Sequence, residues 1–260
     1  MSHYPDRHHP CFFLVDSLNA IGVNTEFAKD ERTLGCWGMV FPEYDNRVMI
    51  WLIDNRLPHE MAKEDPAAKE LLKRGALVCH AQKTDKQRVG GHWLPLAASP
   101  GFHPIDTPKT SDACFVGFVR DSGRARLLSD VRAKFSLSVN QGLFGRQATE
   151  AYCAAQVGLN VPSHYDTLYC TDVNMRVFEI AACGVPLVTN HLPELKELGF
   201  IDSETCVEYK NHICEAVLYA IDHPSIGKRG LELINGRHTY THRALQVVEW
   251  LKEPYAERAL

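Results

Sequence analysis

From Ala113 to Tyr209 the chain repeats one pattern, a short apolar run followed by a helical stretch, and that regularity restricts it to very few folds. The runs Ala113–Val119, Ser136–Val139, Val157–Val161, Val185–Thr189 and Cys206–Tyr209 read as strands. Between them the spacing predicts helices over Arg124–Phe135, Phe144–Gln156 and Asn174–Cys183, the last closed by Gly184, and a short helix from Pro193. Two further helices, His212–Asp222 and Ile226–Trp250, are expected to complete the series. Strand–helix units of this length give a parallel sheet covered by helices on both faces. Such sheets take ligands at the carboxyl ends of their strands, beside the point where strand order reverses.

The preceding hundred or so residues alternate more loosely. Cys11–Val15 and Val48–Ile53 read as buried strands, each with an aspartate at its carboxyl end, Asp16 and Asp54. Pro66–Arg74 is expected to be a helix stopped by Gly75, with Ala76–Cys79 and His92–Leu96 as further strands. The stretch from Ser99 to Ser111 carries Pro100, Pro104 and Pro108 and is the best candidate for a domain boundary. The expected division is residues 1–104, a reduced first Rossmann-like lobe; residues 112–240, a regular second one; and residues 241–260, a helix packing back on the first. The His-rich first ten residues (His3, His8, His9) are read as a frayed terminus.

Composition excludes several classes. With 45% hydrophobic and 23% charged residues the chain is globular, and a net charge of −4 provides no global field for nucleic acid or anionic lipid. The nine cysteines are scattered without a C-x-x-C pair, several within apolar runs, so packed reduced thiols are expected. No apolar stretch approaches the roughly 18 residues a membrane span needs, and no charged-then-apolar leader is visible. A cytoplasmic protein without a membrane partner is expected.

Familiar site motifs are missing. There is no G-x-x-x-x-G-K-[ST] loop, no G-x-G-x-x-G, no G-x-S-x-G elbow, no D-x-D pair and no Y-x-x-x-K pair. These absences count against a P-loop enzyme, a classical dinucleotide site, an α/β hydrolase, a metal-held sugar diphosphate and an epimerase or dehydrogenase.

The segment Thr171–Thr189 remains. It places a polar loop before a helix with Asn174 as candidate N-cap, and free N–H groups at such a start favour a diphosphate. Glu179, five residues on, stands where a carboxylate accepts hydrogen bonds from two ribose hydroxyls. The same residues also make a plain amphipathic helix with Glu179 on its wet face, and physics alone does not separate the two.

The run Asn174-Met175-Arg176-Val177-Phe178-Glu179-Ile180-Ala181-Ala182-Cys183-Gly184 resembles the donor-binding helix of GT-B glycosyltransferases. It is most similar to the CgeB-like (spore-maturation protein) group, with its N-x-R-x-F-E-x-x-A-C-G pattern. Val116–Arg120 resembles the first strand and loop of that family's second lobe, Trp93–Ala97 its linker entry, and Pro193–Leu195 with His242-Arg243 its tail. The likeness runs from about Ala76 to Leu251. It implies an α/β fold of GT-B type, with two Rossmann-type lobes, a reduced N-terminal lobe and a regular C-terminal parallel sheet.

Carried over by position, Glu179 binds the ribose, and Asn174, Met175 and Arg176 hold the diphosphate. Gly117 and Arg120, with Arg124 as helper, lie over the same phosphates. Arginine suits the task through bidentate, charge-assisted bonds. Between Asp112 and Gln147 six basic residues face three acidic ones, so cations stand where leaving-group charge develops and no metal or other cofactor is needed. Ser163 and His164 are candidates for the base. Many retaining relatives carry a glutamate where Thr171 stands here; Asp172, one position off, is kept as a donor candidate, and no stereochemical outcome is implied.

The expected activity is sugar transfer from a nucleotide sugar, UDP- or GDP-linked. The acceptor is open among a DNA base, a protein, a glycan and a small molecule. The catalytic base is expected in the first lobe, where Asp54, His59 or Asp16 would deprotonate an acceptor hydroxyl, with His80 and Lys83 nearby. A strand-end aspartate also simply caps turns. A non-catalytic sugar-nucleotide-binding scaffold is the competing reading.

Overall fold

The computed structural model describes residues 9–27, 38–45, 47–53, 58–119, 122–162 and 173–253. In chain order the elements are α1 (Pro10–Ala20), β1 (Glu26–Phe27), β2 (Gly38–Phe41), β3 (Arg47–Leu52), α2 (Pro58–Lys73), β4 (Leu77–His80), α3 (Lys83–Val89) and β5 (His92–Trp93). There follow β6 (Ser111–Val116), α4 (Ser122–Arg132), β7 (Leu137–Asn140), α5 (Gly145–Cys153), β8 (Ala155–Asn160), α6 (Met175–Ala182) and β9 (Leu187–Asn190). The last are α7 (Pro193–Glu197), β10 (Val207–Tyr209), α8 (Ile213–Asp222), α9 (Ser225–Arg237) and α10 (Tyr240–Lys252). The chain forms two compact units, Met1–Leu96 with Tyr240–Leu260, and Ala97–Thr239. The proline-rich stretch from Ser99 onward lies inside the second unit.

The first unit is built on a sheet of order β1-β2-β3-β4-β5. β3, β4 and β5 pair in parallel, while β1 and β2 add an antiparallel margin. β2 returns into β3 through a short 3-10 turn, with Asp45 in the left-handed region (φ 57°). Ile50, Leu52, Val78 and Val89 form its core with Ala68 of α2. The helix α10 belongs to this unit. Tyr240 packs on Phe13 of α1 at 5.3 Å between rings, and the buried Arg243 donates from Nε to Pro95 O (2.7 Å) and from Nη2 to Leu96 O (3.0 Å).

Three local expectations are corrected. Cys11–Val15 is helix, not strand: His9 caps it, its ring accepting from the Cys11 N–H, and Pro10 opens the first turn. Beyond Pro10 the buried positions are Cys11, Leu14, Val15 and Leu18, an i, i+3, i+4, i+7 stripe that a five-residue apolar run conceals. Asp16 therefore ends no strand; it lies mid-helix on the exposed side. The helix expected from Pro66 begins eight residues earlier, at Pro58, with Pro66 inside it. The helix expected over Ile226–Trp250 is two helices, because His238 leaves helical geometry (φ −129°, ψ 44°). There its ring bonds Leu198 O and stacks on Phe200, and its carbonyl accepts from Ala98 N.

The second unit holds the regular alternation. Its sheet has the order β10-β9-β8-β6-β7, every pair parallel. The chain moves from β6 to β7 on one side, then returns to lay β8, β9 and β10 on the other. Strand order thus reverses between β6 and β8, and the carboxyl ends of these two strands flank the switch point. Ala113, Phe115, Val157, Leu159 and Val188 form the core with Leu128, Val131, Val217 and Ile226 from covering helices. Gly158 sets how closely α6 approaches: a Cβ there would stand 2.4 Å from Ile180 Cγ2, so only glycine admits Ile180. Of the seven described cysteines all but Cys214 are buried. No helix among the described residues is long and apolar enough to cross a membrane.

Candidate functional site

The switch point collects most of the described donor candidates. β6 ends at Val116, and Gly117 follows with φ +150°, a conformation L side chains rarely adopt. A Cβ on Gly117 would lie 2.8 Å from Arg176 Nη2 and 3.1 Å from Phe115 Cζ, so backbone and neighbours both demand glycine. β8 ends at Asn160, which is wholly buried.

Facing these strand ends is the start of α6. Asn174 is its N-cap, with Oδ1 accepting from the Arg176 N–H at 3.0 Å. The Val177 N–H is taken by Asn174 O, which leaves the Met175 N–H as the first-turn donor without a partner among the described residues. The Asn174 amide also donates to Asn160 Oδ1 (3.0 Å). The same oxygen accepts from Arg176 Nη1 (2.9 Å), and Arg176 Nε reaches back to Val116 O (2.8 Å).

Two arginines share one aromatic ring. The Arg176 guanidinium lies 4.8 Å and the Arg124 guanidinium 5.3 Å from the centre of Phe115. Arg124 is buried and donates from Nε to Val161 O (2.9 Å) and from Nη1 to Phe118 O (2.6 Å). Two permanent cations are thus fixed beneath the carboxyl ends of β6 and β8 by main-chain carbonyls. Arg176 makes no salt bridge among the described residues; the carboxylate within its electrostatic reach is Glu179.

Glu179 stands one turn further along α6, half-buried and with no hydrogen bond to a described residue. Burial pushes its carboxyl up to about 7, and the nearby Arg176 charge only partly opposes the rise. Tyr152 of α5 lies within electrostatic reach of both Arg176 and Glu179, and burial keeps its phenol protonated far above its ordinary range.

Gly117, Arg124, Asn174, Met175, Arg176 and Glu179 are therefore gathered on one unit, around one strand-order reversal. Arg120, Ser163, His164, Asp172 and Asp54 lie outside the described residues. His59 falls in the first turn of α2, and its side chain is likewise outside them. Asp16 sits on α1 and closes no strand. The site also contains residues that the sequence reading passed over: Asn160, Thr189, Tyr152 and Tyr209. For the strand residues the one advance signal is a polar side chain closing an otherwise apolar strand, as in Val157-Gly158-Leu159-Asn160; Tyr152, inside α5, carries none. Among the described residues no group of three or more His, Cys, Asp and Glu side chains is placed to hold a metal ion.

Two α/β units of mostly parallel strands, the second with a helix start at its switch point, define the GT-B class of glycosyltransferase fold. The chain belongs to the glycosyl transferase-like family, whose model matches residues 120–249. Among solved structures it is similar to sucrose-phosphate synthase from Thermosynechococcus elongatus, at 15% identity over 78% of this chain and 63% of that one, with a TM-score of 0.56. It is also similar to the UDP-forming α,α-trehalose-phosphate synthase from Burkholderia vietnamiensis, at 10% identity over 79% and 65% of the two chains, TM-score 0.51. A glycosyltransferase involved in avilamycin A biosynthesis aligns at 12% identity over 69% and 64%, TM-score 0.50. The chain spans less than two thirds of the length of each of these structures. At such identities the likeness concerns the fold. No curated protein sequence matches the chain.

Proposed function

We propose that this protein moves a sugar from a nucleoside-diphosphate sugar to an acceptor, that it does so without a metal ion, and that it stands nearest the CgeB-like group. The observation that carries the reading is Glu179: a half-buried carboxylate without a hydrogen bond among the described residues, one turn inside a helix whose start faces the switch point, in a chain of a glycosyltransferase family. Ribose hydroxyls supply the missing donors. In the same reading the diphosphate meets the Met175 N–H and the loop from Gly117 to Arg120, while Ser163 and His164 take the base and Asp172 lies toward the sugar. Asn174 presents the helix start, and Arg124 and Arg176 supply positive potential from below.

Bond cleavage leaves negative charge on the departing diphosphate. Two fixed guanidinium groups and the helix dipole stabilise that charge without reorganising, which is the role a divalent ion plays elsewhere. Asp54 or His59 is proposed, from sequence alone, as the base that removes the acceptor proton.

The test is a thermal-shift and turnover screen of UDP-, GDP-, ADP- and CMP-linked sugars in the presence of EDTA. Stabilisation by one nucleotide class, with release of its nucleoside diphosphate, supports the proposal and names the base. Stabilisation without turnover, across DNA, peptide, glycan and small-molecule acceptors, would favour a binding scaffold. A requirement for added Mg²⁺ or Mn²⁺ would overturn the metal-independent part.

A further inference from the structure

We infer that Asn160 is a positioning residue that seats the start of α6 for a nucleoside diphosphate, an inference that rests on the donor reading above. Asn160 closes β8 and is fully buried. Its Oδ1 accepts from Asn174 Nδ2 (3.0 Å) and Arg176 Nη1 (2.9 Å), and its Nδ2 donates to Thr189 Oγ1 at 3.0 Å. Its main-chain oxygen accepts from the Tyr209 hydroxyl at 3.3 Å. One residue therefore joins the ends of β8, β9 and β10 to the first turn of α6, its side-chain amide reaching β9 and α6 and its main-chain oxygen reaching β10, and Arg176 extends the connection to β6 through Val116 O.

Net stability is a poor explanation for such a group. An apolar side chain would fill a strand end without desolvating an amide, and a buried polar network contributes chiefly by specifying one geometry. The geometry specified here is that of the proposed phosphate site. Asn174 must turn its oxygen toward the Arg176 N–H to cap the helix, and Asn160 fixes that orientation by accepting from the amide nitrogen. Arg176, a long side chain with several rotamers, is folded under Gly117 because Asn160 and Val116 O hold two of its nitrogens. The helix start is thereby left open, with its cation underneath rather than in front. Asn160 touches no ligand in this scheme; it acts through Asn174 and Arg176.

The experiment compares uridine with UDP, and guanosine with GDP, by calorimetry and ligand-observed NMR on the full chain. Asn160→Ala is expected to weaken the better-bound nucleoside diphosphate by about tenfold or more, the scale of a lost buried hydrogen-bond pair, while the parent nucleoside changes by less than about threefold. Thr189→Val keeps the volume but removes the hydroxyl that receives Asn160 Nδ2. It shows the same selective loss at smaller size, Thr189→Ser shows none, and this pair decides the matter if Asn160→Ala does not fold. Glu179→Ala serves as the reference, weakening nucleoside and diphosphate alike. If Asn160→Ala and Thr189→Val leave the ratio of diphosphate to nucleoside affinity at the wild-type value, Asn160 is merely structural and the inference fails. If Glu179→Ala binds all four probes as wild type does, the donor reading itself fails and takes the inference with it.

Discussion

Glu179 illustrates how a single carboxylate reports on the state of its site. Burial raises its pKa to about 7, above the value it has in an unfolded chain. A carboxyl with a raised folded pKa binds its proton more tightly in the native state, so its contribution to stability is complete below the unfolded pKa and is lost as pH rises through about 7. Glu179→Gln is therefore expected to melt higher than wild type at about pH 8 and close to it at about pH 4, measured by differential scanning fluorimetry. Ligand binding carries the opposite sign. Ribose hydroxyls donate to the ionised form, so affinity for the nucleotide rises with pH through the same range and levels off above it. In Glu179→Gln that dependence disappears; a wild-type affinity flat across this range contradicts the ribose assignment.

At the scale of elements, two contacts hold α6 in place. Gly158→Ala places a methyl into Ile180 and is expected to cost about 1–3 kcal/mol, read as a lowered denaturation midpoint with an unchanged slope. Asn174→Ala removes the cap and is expected to cost about 1 kcal/mol, and it also takes away one of the two donors to Asn160 Oδ1. The helices and strands of the second unit were legible because each apolar run is short, separate and closed by a polar residue or glycine. α6 itself is legible to within a residue at each end, since Asn174 and Gly184 mark its limits. The first unit was less legible for physical reasons. A five-residue apolar run such as Cys11–Val15 satisfies both helix and strand periods. In the second unit the exception is the helix break at His238, which arises from bonds to Leu198 and Ala98 that lie far off in sequence. Asn160 is silent in the sequence because one polar residue in a strand says nothing until topology shows which helix start it meets.

The molecule as a whole combines a regular parallel unit with one whose sheet is mixed, and the family's matched segment, residues 120–249, runs beyond the second unit into α10. Donor recognition is assigned to the second unit alone, and the proposed base to the first. That division predicts separable phenotypes. Asp54→Asn or His59→Ala is expected to lower turnover about 100-fold or more, the usual worth of a general base, with donor affinity within about threefold of wild type. Steady-state kinetics beside calorimetry check this, and loss of donor affinity in both variants would contradict it. The central claim remains that α6 holds a nucleoside-diphosphate sugar through Glu179. Its most direct test is isothermal titration of wild type and Glu179→Ala, in EDTA, with the sugar nucleotide that passes the stability screen. The account predicts saturable binding to wild type and at least about a tenfold weaker constant in the variant. Equal binding by the two proteins would contradict it.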